Sequence, residues 1–178
     1  ARAGGRASPA LRRRVLRRPW PLFRVLARVH RQTLSRRTRL VVVVGSLGKT
    51  TTTRTVGAAL GLPRTGGSMN AFSRLALKVL RIRPGARHAV IEAGIDRPGQ
   101  MGPYAWILRP DVVVVTSIAS EHGRSFGTLE RTRDEKALMV RALGAGGVAV
   151  LNGDDAHVRW MAGATAARVV TFGFGAEN

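Results

Sequence analysis

The sequence predicts an α/β fold, a mostly parallel sheet flanked by helices on both faces. Two observations carry that expectation. Strand-like and helix-like stretches alternate from Leu40 onward. Two of the strand-like stretches, Val41–Val44 and Val112–Val115, are valine runs of the kind found in strands covered on both faces.

Taken in order, residues 1–19 are rich in Arg, with Gly and Pro, and read as a mobile lead-in. From Trp20 to Arg37 the pattern is helical, with Leu22, Phe23, Leu26, Val29, His30 and Thr33 on one side. Arg24, Arg28 and Arg31 lie elsewhere on this helix. We read it as packing on the domain that follows. A basic amphipathic helix on an anionic membrane surface is the other reading. Arg24 and Arg28 interrupt the apolar stretch, which excludes a signal peptide. Strands are expected at 40–44, 88–93, 111–117, 147–151 and 168–172, and helices at 49–60, 70–81, 99–108, 128–143 and 155–162. Gly61 and Pro63 close the first of these helices, and Phe72, Leu75, Val79 and Leu80 give the second a buried side. The chain divides into a basic segment, 1–38, and an α/β domain, 39–178.

Composition narrows the function. The 178 residues suffice for one domain with a core, and 44% are apolar, which fits a globular chain. The absence of cysteine excludes disulfides and thiolate metal sites. No apolar run approaches membrane-spanning length. The formal charge of +20 points to anionic partners. Aromatic residues are few and no nucleic-acid motif is present, so nucleic acid ranks low as a partner. Lysine occurs only at Lys49, Lys78 and Lys136, in a chain whose other strong bases are all Arg. A lysine retained in such a chain suggests a task that guanidinium cannot perform. Lys78, on a helical pattern, reads as an exposed surface residue.

In a parallel sheet, ligands bind beyond the carboxyl ends of the strands. That rule selects Gly45–Thr50, Glu92–Gly94, Ser117–His122 and Asn152–Asp155. The first is the most informative: a valine strand, then Gly45-Ser46-Leu47-Gly48-Lys49-Thr50-Thr51, then a helical pattern. Glycines let successive N–H groups curl around an anion, and the helix adds the positive end of its dipole. Lys49 can reach terminal phosphates and the Thr50 hydroxyl can ligate Mg²⁺. The full phosphate-loop pattern wants a further glycine where Val43 stands. Glu92, leaving a strand beside this loop, is placed to hold Mg²⁺. His122 follows the third strand at the same edge, with Glu121 as its rival metal ligand. Lys136 lies on the helix that begins near Thr128.

The order Gly-Ser-x-Gly-Lys-Thr-Thr, Val-Ile-Glu-x-Gly, Pro-Asp-Val-Val-Val-Val-Thr, a loop His, Phe-Gly-Thr-Leu-Glu, Lys and Val-Ala-Val-Leu-Asn-x-Asp-Asp resembles the central domain of the Mur ligases. Gly67-Ser68-Met69-Asn70, and Glu92-Ala93-Gly94 running on to Pro98-Gly99-Gln100-Met101, look like the branch that adds D-alanyl-D-alanine. The resemblance covers about residues 40–178 and implies a P-loop NTPase-like fold. It implies an ATP-dependent ligase that activates a carboxylate as an acyl phosphate for attack by an amino acid or dipeptide amine in peptidoglycan precursor synthesis. Carried over, Gly45, Ser46, Gly48, Lys49, Thr50 and Thr51 would bind ATP. Thr50 and Glu92 would hold one Mg²⁺, and His122 a second. Lys136 matches the family lysine that CO₂ carbamylates, and Asn70 lies near the acceptor. The implied location is cytoplasmic, with membrane association through residues 1–37 as an addition. A relative acting on poly-γ-glutamate or cyanophycin is the runner-up, and a nucleotide-binding module without catalysis is the reading from another class. Residue 1 is Ala and the last residues run out of a strand, so we expect a domain incomplete at its C-terminus and inactive alone.

Overall fold

A computed structural model describes residues 20–63, 72–120 and 127–175. In chain order the elements are α1 (Trp20–Gln32), β1 (Arg39–Val44), α2 (Lys49–Ala59), α3 (Phe72–Leu80), β2 (His88–Glu92), α4 (Met101–Leu108), β3 (Val112–Val115), α5 (Leu129–Arg141), β4 (Val148–Asn152), α6 (Ala156–Trp160) and β5 (Arg168–Phe172). The five strands form one parallel sheet in the order β2-β1-β3-β4-β5. Register keeps the strand ends level: Val43 lies beside Glu92, Val44 beside Val115, and Val115 beside Leu151. The loops leaving β1, β2, β3 and β4 therefore share one rim.

The strands fall within a residue or two of the expected spans. Val41–Val44 are all buried, as a doubly covered strand requires. The even-numbered side of β1, with Ile91, Val113, Val115, Ala149 and Leu151, meets residues of α1, α3, α4, α5 and α6. The other side, Val41, Val43 and Val114, packs against Val56 and Leu60 at the α2 end. α5 begins where Thr128 caps it, its hydroxyl accepting from the Arg131 N–H at 3.3 Å. α6 begins at Asp155, whose carboxylate accepts from His157 and Val158 N–H at 2.9 and 3.1 Å. It ends sooner than the periodicity suggests, tightening into a 3₁₀ turn over Met161–Ala164.

The helix α1 packs on α3 and α4 with a face rotated from the one its periodicity marks. Phe23 and His30 of the marked side do pack, with Ala27 and Arg31 buried beside them, whereas Leu22, Leu26 and Val29 are 61%, 45% and 48% exposed. Arg31 explains the rotation. Its guanidinium donates to the carbonyls of Leu108 (3.0 Å), Ser35 (2.7 Å) and Arg109 (3.1 Å) and to Asp111 Oδ2 (2.7 Å). The same Asp111 oxygen accepts from the Leu40 N–H at 2.7 Å, so α1 is pinned to the entry of the sheet. Arg109 takes a left-handed φ of 42° at the end of α4, and its carbonyl is one of those that accept from Arg31. His30 Nε2 lies 3.0 Å from the Ile82 carbonyl, fixing the α3 side.

Replacing Arg31 by Met strands three carbonyls and a carboxylate. We expect a loss of about 3 kcal/mol, the usual result of removing one partner from a buried polar network. Asp111→Asn leaves an acceptor for Leu40 and should cost about 1 kcal/mol. Urea midpoints of the two variants check this, and equal midpoints would remove Arg31 from its role as the pin.

Candidate functional site

The rim gathers the predicted loops around the exit of β1. Gly45 turns the chain with φ 142°. A Cβ there would sit 2.0 Å from Thr116 Oγ1 and 3.0 Å from the Ser117 nitrogen, so no other residue fits. Thr116 uses that space to donate to the Leu47 carbonyl at 2.6 Å. The Ser117 hydroxyl accepts from the Leu47 N–H at 3.1 Å, and its carbonyl accepts from the Ser46 N–H at 2.6 Å. The loop is thus held along one side by the exit of β3. Gly48, with φ 79°, is the last residue before α2. The first N–H groups of α2 open onto the loop, where the helix dipole favours an anion.

Lys49 folds over this loop and donates to the Ser46 carbonyl. Thr51 is exposed in the first turn of α2. Thr50 Oγ1 donates to Glu92 Oε2 at 2.9 Å, which joins the β1 and β2 exits. Glu92 is only 8% exposed. A hydroxyl and a carboxylate at this spacing are hard oxygen donors, a set that suits Mg²⁺. Among the described residues no group of three or more His, Cys, Asp or Glu comes together.

Lys136 reaches the same place from α5. Its side chain is 3% exposed, and Nζ donates to Ser46 Oγ at 2.8 Å. The Ser46 hydroxyl donates to the Ala119 carbonyl at 2.9 Å and accepts from the Ala119 N–H at 2.8 Å. The β4 exit closes the far side. Asn152 Nδ2 donates to the Thr116 carbonyl at 2.8 Å, and Asp155 Oδ2 accepts from the Ile118 N–H at 2.7 Å. Of the predicted site residues, Gly45, Ser46, Gly48, Lys49, Thr50, Glu92 and Lys136 therefore meet on one rim. His122, its rival Glu121, and Asn70 lie outside the described residues.

Three features go beyond the sequence reading. Lys78 is half-buried rather than exposed; burial lowers its ammonium from the ordinary value, and the Glu92 carboxylate opposes that shift. The lysine census was the available signal, since Lys49 and Lys136 both bond to Ser46 on the rim and Lys78 is half-buried. Asn152 and Asp155, which the rim rule and the Val-Ala-Val-Leu-Asn-x-Asp-Asp stretch mark without a role, both brace the β3 exit. Gln100 is buried, and its carbonyl oxygen accepts from the Asp96 and Arg97 N–H groups at 2.7 and 3.4 Å, shaping the chain after β2. The stretch Pro98-Gly99-Gln100-Met101 marks it in the sequence without giving it this role.

Comparison with known proteins agrees with this geometry. The family model "Mur ligase middle domain" matches residues 43–178. A UDP-N-acetylmuramoyl-tripeptide–D-alanyl-D-alanine ligase of Bacillus subtilis is 31% identical over 157 residues, covering 86% of this chain and 33% of that protein. The Mycobacterium leprae protein of the same name is 32% identical over 135 residues, covering 74% of this chain and 26% of its own. Among solved structures, MurF ligase from Thermotoga maritima in complex with ADP superposes with a TM-score of 0.76 at 30% identity, covering 86% of this chain and 36% of that one. MurF from Acinetobacter baumannii gives 0.77 at 25% identity, covering 86% and 35%. The chain thus spans about a quarter to a third of the length of these relatives. With its five-stranded parallel sheet and the Gly45–Thr50 loop on the shared rim, the chain belongs to the Mur ligase family.

Proposed function

We propose that this domain binds ATP and serves an amide ligase that couples a carboxylate to an amine in peptidoglycan precursor synthesis. The observation that carries the reading is the Thr50–Glu92 contact of 2.9 Å beside Lys49, at the open end of a helix. The substrates in the relatives' names, a UDP-N-acetylmuramoyl-tripeptide and D-alanyl-D-alanine, are those we assign to the whole protein. A cytoplasmic location goes with that assignment.

The turn at Gly45–Gly48 and the first N–H groups of α2 at Lys49–Thr51 take the phosphates, while Ser46, whose own groups are engaged by Ser117, Ala119 and Lys136, braces the turn instead of contacting them. Lys49, released from the Ser46 carbonyl, offsets charge on the terminal one. A carboxylate oxygen of the acceptor attacks the γ-phosphorus, the bond to ADP breaks, and an acyl phosphate forms. The amine then attacks the acyl carbon, loses its proton, and phosphate leaves with its electron pair. Thr50 and Glu92 would hold one Mg²⁺, and His122 with a carbamylated Lys136 a second, supplying positive charge at the phosphate oxygens. Asn70 flanks the acceptor side in this reading.

ATP with Mg²⁺ should raise the melting temperature of this chain, by an amount equivalent to about 2.7 kcal/mol at a hundredfold excess over Kd. Lys49→Ala should lose that stabilisation while its ligand-free melting stays within about 0.5 kcal/mol of wild type. Equal ATP shifts in both proteins would refute the phosphate assignment. In the protein of full length, Lys136→Ala should abolish ligation, and added bicarbonate should not restore it. Retained activity would take Lys136 out of the reaction.

The exposed stripe of α1 favours a second role beside the first. Leu22, Val25, Leu26 and Val29 face solvent next to an arginine-rich segment, an arrangement suited to an anionic membrane surface. The chain should sediment with phosphatidylserine vesicles and not with phosphatidylcholine ones. Leu26→Glu combined with Val29→Glu should release it, and undiminished binding by that variant would exclude the stripe.

A further inference from the structure

Ser46 has no hydrogen-bonding capacity left over. Its hydroxyl proton goes to the Ala119 carbonyl (2.9 Å), and its oxygen accepts from the Ala119 N–H (2.8 Å) and from Lys136 Nζ (2.8 Å). One proton and two lone pairs are all a serine hydroxyl offers. Ser46 is 1% exposed and Lys136 3% exposed, so water does not compete for either. We propose that Ser46 is the positioning residue for a carbamylated Lys136, fixing the direction in which the carbamate oxygens point. This rests on the carbamate reading given above.

The chemistry of the modification supports the assignment. The unprotonated Lys136 amine attacks the carbon of CO₂ and an N–C bond forms. One C–O π pair moves onto oxygen, and one proton is released to water. The nitrogen enters the reaction with two hydrogens and leaves with one. Ser46 Oγ, already 2.8 Å from Nζ, is placed to receive that last N–H. A carbamate is planar, so holding its N–H in one direction also sets the plane of both oxygens. The anchor itself cannot turn, because its other two bonds go to the backbone of Ala119.

Ser46 is also part of the phosphate loop. Its N–H donates to the Ser117 carbonyl at 2.6 Å, and its own carbonyl receives Lys49. One residue therefore sets the relative positions of two lysines. Lys49 hangs on its backbone and Lys136 on its side chain.

Wild-type chain, Ser46→Ala and Ser46→Cys would be incubated with ¹³C-bicarbonate. The carbamate carbon would be read by ¹³C NMR and located at Lys136 by alkylative trapping and mass spectrometry. Melting with and without ATP and Mg²⁺ would be followed in parallel. Wild type should carry the label. Ser46→Ala should still unfold cooperatively and lose label by roughly fivefold, the worth of one net hydrogen bond. Should Ser46→Ala fail to fold, Ser46→Cys decides, because a thiol keeps the volume and is a poor acceptor; its label should fall as well. A folded Ala or Cys variant labelled as fully as wild type would overturn the proposal for Ser46 alone. An unlabelled wild-type chain would overturn the carbamate itself, and Ser46's role with it.

Discussion

The site depends on one close approach. The exit of β1 runs so near the exit of β3 that a side chain at Gly45 would collide with Thr116 Oγ1 and crowd the Ser117 backbone. Because that side chain is missing, Ser46, Leu47 and Ser117 can exchange hydrogen bonds directly. Among the described residues, the groups that the proposal uses are placed relative to this seam. Lys49 and Thr50 follow it in sequence, Glu92 meets Thr50 from the neighbouring strand, and Lys136 is bonded to Ser46 from α5. Parallel register supplies the other half of the constraint, since it keeps all the strand exits at one height.

Much of this was legible in the residues. Valine runs and strand–helix alternation gave the sheet, and glycine, lysine and threonine at the first exit gave the loop. The rule that ligands sit beyond carboxyl ends picked out the four exits that the rim brings together. What periodicity could not decide was which side of α1 meets the body. Of the side marked by Leu22, Phe23, Leu26, Val29, His30 and Thr33, Phe23 and His30 meet the body, but Ala27 and Arg31 complete the packed face and Leu22, Leu26 and Val29 are left outside. A pattern reading counts Arg as polar and outward. The fold instead offers its guanidinium three carbonyls and a carboxylate, a number of acceptors that only tertiary structure reveals.

Lys78 failed for a related reason. Its place on a helical pattern fixed a face, and the face alone suggested solvent. Its half-burial and its electrostatic link to Glu92 depend on how α3 lies beside the β2 exit, which no local spacing encodes. Asn152 and Asp155 stand in the Val-Ala-Val-Leu-Asn-x-Asp-Asp stretch, but their bracing role was not legible there, because both act on backbone groups of the preceding strand's exit.

The direction of α1 has a practical side. Arg28 donates to the Trp106 carbonyl, and Arg31 to those of Leu108 and Arg109, so α1 and α4 descend together away from the rim. α1 is 13 residues long, about 20 Å, comparable to the depth of the sheet. Its first residue, Trp20, consequently starts from the end of the molecule where the phosphate loop opens. A fluorophore or purification handle attached through the start of α1 would therefore stand toward the rim end of the face that α3 and α4 cover.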